Sequence, residues 1–177
     1  MRVGVISVQG AFIEHEKAFE SAGHIVSEIR QARDLDSSFD MIVFPGGEST
    51  VQRKLLKDLD MIEPIWRCID MGVRVYATCA GLILLAREVD GKPNALGRLD
   101  VSVKRNAYGR QLGSFRTEGS ILGHERVGMT FIRAPKIVSY NEKVQVLSRY
   151  DGYATAVRQG NITAFAWHPE LNGEIYI

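Results

Sequence analysis

A cysteine, a histidine and a glutamate in this chain stand where they can do chemistry together. Cys79 lies in ATCAGLILLA (77–86), between the strand-like run VRVYA (Val73–Ala77) and the helix-like run GLILLA (Gly81–Ala86). A free cysteine is ordinarily a small core residue. A corner where strand gives way to helix is different, because it exposes one side chain at the sheet edge on a strained turn with small neighbours. Cys79 has Ala77, Ala80 and Gly81 around it. The positive end of a helix also favours thiolate, the reactive form of the group. This position brings the nucleophile reading level with the structural one. Cys68 lies inside a helical pattern and reads as core.

A thiolate nucleophile needs a proton carrier, and the chain has four histidines. His15, in EHEK, reads as an exposed helix face. His24 opens a strand and His124 sits in LGHER, both on the surface. The four are scattered and show no HExxH spacing, so no metal site is expected. His168 stands apart: it follows the apolar run ITAFAW and begins HPE. Pro169 fixes the chain direction, and an extended backbone there puts Glu170 on the same side as His168. One ring nitrogen can then bond the carboxylate while the other faces sulfur, in the logic of nucleophile, base and orienter. By itself His-Pro-Glu reads rather as a turn with a surface carboxylate, and it gains weight from the cysteine corner and the Gly-Gly loop in sheet order. The backbone N–H of Ala80 is placed to meet an oxyanion near the sulfur. A second donor is available from Gly46 or Gly47, where the absence of a side chain permits close approach.

The elements that must position these residues alternate. Val3–Val8, His24–Ile29, Met41–Phe44 and Val73–Ala77 read as strands. Ile13–Ala22, Ser49–Leu56, Met61–Met71 and the run after Cys79 read as helices, with Gly23 closing the first. Such alternation implies an α/β fold, a parallel sheet with helices on both faces. Ligands bind such sheets outside the carboxyl ends of the strands, where PGGES (Pro45–Ser49) and TCAG (Thr78–Gly81) both fall. The second half is strand-rich: 100–104, 128–132, 144–148, 154–158 and 163–167, with QGN (159–161) as a hairpin turn. No linker or repeat divides the chain, so residues 1–177 are expected to form one domain.

Composition excludes several classes. With 22 basic and 21 acidic residues the net charge is +1, which gives no field for nucleic acid or a membrane surface. No apolar stretch approaches a membrane span, and MRVGVISVQG reads as a first strand rather than a signal peptide. Two cysteines form no disulfide framework, so a reducing cytoplasm is the expected setting.

Six stretches in order, VQGAFIEH (8–15), PGGEST (45–50), TCAGLILLA (78–86), RNAYGRQLGSF (105–115), FIRAP (131–135) and WHPEL (167–171), make the sequence similar to the triad-type glutamine amidotransferases. More narrowly, it resembles the glutaminase subunits of pyridoxal 5′-phosphate synthase, the two-subunit vitamin B6 enzyme. RNAYGRQ and FIRAP separate it from amidotransferases of histidine, purine or tryptophan synthesis.

The resemblance implies a three-layer, flavodoxin-like class I amidotransferase fold and hydrolysis of L-glutamine to L-glutamate and ammonia. Cys79 would be the nucleophile, His168 the base and Glu170 its orienter. Gly47 and Ala80 would form the oxyanion hole. Gly46, Gly47, Glu48, Arg105, Ile132 and Arg133 would bind glutamine, and Gln9 would act as relay or gate. Arginines suit an anionic head group. Neither metal nor cofactor is implied for this step. The implied partner is a barrel-shaped synthase subunit, in a large hetero-oligomer, that takes up the ammonia and whose docking near Gln9–Phe12 would turn the Gly46–Gly47 peptide.

Three departures stand out. Ala77 occupies a position where the family elbow usually has glycine, SFRTEG (114–119) is less acidic than expected, and GEIYI (173–177) could only begin the further helix that relatives carry. Two alternatives stay open: another cysteine-elbow α/β hydrolase, although these often place histidine directly after the cysteine, and a non-catalytic regulatory subunit that keeps the fold.

Overall fold

In a computed structural model, the chain is described over residues 1–36, 38–94, 96–108 and 113–177. Residues 109–112 of the RNAYGRQLGSF stretch lie outside the described residues. The elements run β1 (Arg2–Ile6), α1 (Phe12–Ser21), β2 (Ile25–Ile29), β3 (Met41–Phe44), α2 (Ser49–Asp58), α3 (Ile62–Asp70), β4 (Arg74–Thr78), α4 (Ala80–Leu85), β5 (Ala86–Val89), β6 (Lys92–Pro93), β7 (Leu99–Lys104), β8 (Ser114–Ile121), β9 (His124–Ile132), β10 (Lys136–Tyr140), β11 (Gln145–Tyr150), β12 (Tyr153–Gln159) and β13 (Ile162–Phe165). Short 3₁₀ turns cover Ala32–Asp34 and Pro169–Asn172.

One large sheet has the order β2-β1-β3-β4-β13-β12-β10-β7-β5-β6, with β11 also on β12. The five strands from β2 to β13 are all parallel. Beyond β13 the pairings turn antiparallel, apart from β5 on β7. β8 and β9 form a separate hairpin. The composition of the central strands explains their place. MIVF and ITAF are buried at every residue, as strands covered on both faces must be. α1 packs on β1 and β2, while α2 packs on α4. Tyr76 and Phe165, from neighbouring strands, stack with ring centroids 4.8 Å apart, and Trp167 meets Phe165 edge-on.

The structure departs from the sequence expectations in three places. The helix after Cys79 stops at Leu85, and Ala86 begins β5. β8 escapes a search for apolar runs, because SFRTEGSI alternates exposed and half-buried residues along one side of a hairpin. β10 escapes it because Ile137 alone in the strand is buried, with Val138, Ser139 and Tyr140 all exposed. The turn between β12 and β13 is the expected one, with Gln159 paired to Ile162 and Gly160 at φ +56°.

Candidate active site

The carboxyl ends of β1, β3, β4 and β13 converge on Cys79. Its backbone has φ +47° and ψ −99°, a conformation that costs about 1–3 kcal/mol and survives only where the surroundings impose it. They do so from both sides. The Cys79 N–H is held by the Phe165 carbonyl at 2.8 Å, and the first bond of α4 runs from the Ile83 N–H to the Cys79 carbonyl at 3.1 Å. Gly81 explains why the turn needs small residues: a Cβ there would lie 2.3 Å from the Phe44 carbonyl oxygen. Ala77, where glycine was expected, is accommodated inside β4 between Phe44 and Ala164. Ala80 opens the helix, and its N–H, like others in a first turn, has no helical acceptor.

His168 leaves β13 through Ala166 and Trp167, and its own N–H bonds the Thr130 carbonyl at 2.9 Å. Its Nδ1 lies 2.6 Å from Glu170 Oε1, and the ring interacts with Cys79 beside it in the same cavity. Burial lowers the affinity of this ring for a proton. The hydrogen bonds and charges of Cys79 and Glu170 outweigh that effect and raise its pKa to about 10. The pairing of residues two apart arises differently from the extended backbone expected above. Pro169 starts a 3₁₀ turn with His168 as its N-cap, and the turn, not a strand, brings Glu170 back under the ring.

The loop after β3 packs against the ring. A Cβ on Gly46 would lie 2.3 Å from His168 Cε1. The Gly46 carbonyl accepts from the Ala11 N–H at 2.9 Å. Across a trans peptide the Gly47 N–H therefore points away from Ala11. Gln9 Oε1 accepts from the Glu48 N–H at 2.9 Å, and Gln52 Nε2 donates to the Gln9 carbonyl at 2.9 Å. Gln9 thus clamps the glycine loop from the β1 side.

Cys79 opens onto a cavity of about 280 Å³ lined by Gly46, Gly47, Glu48, Arg105, Ile132, Arg133 and His168, among others. The cavity has charges of both signs. Hydrogen bonds from Thr50 hold the Glu48 carboxyl below its usual range, helped by the charges of Arg133 and Arg105. Arg105 is turned partly aside, with Nε 2.7 Å from Asp90. Arg133, at φ +45° in the turn after β9, makes no ion pair among the described residues. The Ile132 carbonyl lies 3.8 Å from Cys79 Sγ. Two guanidinium groups and one carboxylate around a small cavity suit the carboxylate and ammonium of a free amino acid.

The chain matches the SNO glutamine amidotransferase family over residues 5–176. It belongs to that family. The pyridoxal 5′-phosphate synthase subunit PdxT of Desulfitobacterium hafniense is 50% identical over 175 residues, 98% of this chain and 88% of its own length. That of Methanocorpusculum labreanum is 45% identical over 177 residues, 100% of this chain and 94% of its own. A crystal structure described as a glutamine amidotransferase superposes with a TM-score of 0.91 at 35% identity, covering 97% of this chain and 92% of that one. PurLQS of Thermotoga maritima, at 19% identity and a TM-score of 0.68 over 96% of this chain and 87% of that one, shares the fold.

Two histidine assignments need correction in this amidotransferase. His15 is not on an exposed face: it is fully buried, with Nε2 3.5 Å from Glu170 Oε2. The polar neighbours in EHEK hid this, because α1 turns one polar residue inward toward the Glu170 carboxylate. His24 is half-buried against Phe19 rather than on the surface. His124 is exposed as expected, and Cys68 sits in the core on α3, where burial raises its thiol pKa. Among the described residues, no helix is long and apolar enough to cross a membrane.

Proposed function

We propose that residues 1–177 act as one domain, the glutaminase subunit of a pyridoxal 5′-phosphate synthase, hydrolysing L-glutamine to L-glutamate and ammonia with Cys79, His168 and Glu170 as its triad. The observation that carries this reading is the line of contacts from Cys79 through His168 to Glu170 at the mouth of the charged cavity. The Cys79 thiolate attacks the side-chain amide carbon, and a C–S bond forms as the carbonyl electrons move to oxygen. The N–H groups of Ala80 and Gly47 receive that oxyanion. His168, held as imidazolium, gives its proton to the departing nitrogen as the C–N bond breaks, leaving a glutamyl thioester and ammonia. The now neutral ring takes a proton from water, hydroxide adds to the thioester, and the C–S bond breaks to release glutamate. Glu170 keeps the ring aligned and offsets its charge throughout. Arg133 and Arg105 bind the substrate carboxylate, and Glu48 its ammonium.

Ammonia then passes to a barrel-shaped synthase subunit in a larger assembly. Docking of that subunit near Gln9–Phe12 acts on the contacts that set the Gly46–Gly47 peptide, those of Ala11 and Gln9. Loss of one oxyanion donor costs about 10²–10³ in rate, so the free subunit is expected to idle by that factor. The test is ammonia release at saturating glutamine, with and without the synthase subunit, for wild type and Cys79→Ala. Ammonia from wild type only, and faster with the partner, supports the reading. Equal rates with and without partner refute the activation step, and full activity in Cys79→Ala refutes the triad.

A further inference from the structure

His15 is wholly buried, yet the steps above leave it no part. Its Nδ1 lies 2.8 Å from the Ala11 carbonyl, an acceptor, so Nδ1 carries the ring proton. Nε2 lies 3.1 Å from Thr78 Oγ1, on the residue before the nucleophile, and 3.5 Å from Glu170 Oε2. That carboxylate oxygen is buried with no hydrogen-bond donor among the described residues, whereas Oε1 takes the bond from His168. Ala11 holds the Gly46 carbonyl. A single side chain therefore touches the far side of the catalytic carboxylate and the turn that fixes the oxyanion peptide.

We propose that His15 is a positioning residue of the glutaminase reaction: its neutral ring closes off Glu170 Oε2 from water and competing donors, and its Nδ1–H anchors that ring, through Ala11, to the turn that holds the Gly46–Gly47 peptide. The proposal rests on the triad reading above. A carboxylate that bonds through one oxygen only directs its charge at that partner, here His168. With Nδ1 as donor, Nε2 presents a lone pair, accepts from the Thr78 hydroxyl, and offers Oε2 no proton. The ionisable groups facing His15 are Glu170 and His168 from the chain after β13, Tyr76 from β4 and Glu14 on its own helix. Burial keeps the ring neutral against the pull of Glu170. Those facing His168 are Cys79, Glu170 and His15.

Two variants separate the two contacts. In His15→Asn the amide can still reach the Ala11 carbonyl, but the space beside Oε2 opens to water. In His15→Phe a ring still covers Oε2, but the donor to Ala11 is gone. The readouts are kcat and KM for glutamine with the synthase subunit present, the pH dependence of Cys79 alkylation by iodoacetamide mapped by mass spectrometry, and the melting midpoint. We expect His15→Asn to lower kcat about tenfold, because Oε2 is uncovered and the Thr78 hydroxyl loses its Nε2 acceptor, with KM held within about twofold. Its alkylation profile should shift upward by about one pH unit, because a weakened imidazolium stabilises the thiolate less. His15→Phe should lower kcat by a similar factor with the alkylation profile of wild type. Folded His15→Asn with wild-type kcat and profile would overturn the proposal. So would losses in both variants that track the melting midpoint while the profile stays put. Wild type that releases no ammonia would sink the glutaminase reading instead. The alkylation profiles need no glutamine and still judge the link from His15 to His168.

Discussion

An alanine at position 46 would put its methyl carbon 2.3 Å from His168 Cε1 and 3.0 Å from Nδ1. Ordinary contact begins near 3.4 Å, so the ring or the loop must move by about 1 Å. Neither has room. The ring is 6% exposed, bonded to Glu170 at 2.6 Å, and its own backbone is tied to Thr130. The loop is tied to Ala11 through the Gly46 carbonyl at 2.9 Å. Misplacing a reacting group by about 1 Å costs about a hundredfold in rate. Gly46→Ala should therefore reduce kcat for ammonia release about a hundredfold, while glutamine KM stays within about threefold because the head-group residues are untouched. The assay is steady-state ammonia release with the synthase subunit present, on protein shown by near-UV circular dichroism to be folded. A folded Gly46→Ala enzyme that turns over at the wild-type rate would mean that His168 is not confined by this loop, and the inferred alignment would be wrong.

Cys79→Ala should abolish turnover and stay folded, whereas Cys68→Ala should keep its kcat; equal losses in two folded variants would unseat Cys79. Arg133→Ala should weaken glutamine binding by about 1.5–3 kcal/mol, the range for a charge-assisted contact, and more than Arg105→Ala, because Arg105 is shared with Asp90; calorimetry on the Cys79→Ala background decides. The His168 pKa is raised from 6.5 to about 10 in the fold, so its proton stabilises the native state fully below about pH 6.5 and the contribution is lost as pH climbs toward 10. Urea titrations across that window should show wild type losing stability relative to His168→Asn, and parallel curves would contradict the imidazolium assignment. Gly81→Ala forces a Cβ against a backbone carbonyl and should destabilise by about 1–3 kcal/mol in the same titrations.

The sheet centre was legible because burial on both faces leaves its mark on composition: MIVF is read straight from the chain and is observed unchanged as Met41–Phe44. The Cys79 corner was legible because Ala77, Ala80 and Gly81 are small for a steric reason, visible in the 2.3 Å approach at Gly81. β8 and β10 were not: β8 alternates exposed and half-buried residues, and β10 buries only Ile137, so neither leaves a continuous apolar signal. His15 was the main loss at the site. A buried polar residue on a helix leaves no trace in hydrophobic periodicity, and its partner Glu170 is 155 positions away by the residue numbers. The Glu170 geometry came out as expected by a different route, since a 3₁₀ turn replaces the extended segment.

β13 is inserted between β4 and β12, in the middle of the sheet, although it follows both in the chain. The N–H of Cys79 is anchored by that strand, and the base and its orienter follow it directly. During synthesis, everything up to the β12 strand can be present while the sheet still has a gap at its centre. Closing that gap is a long-range event of the kind that makes folding slow. It is also the event that anchors the Cys79 N–H and brings His168 beside it. The corner that strains Cys79 is thus completed only by the last strand of the sheet to be synthesised.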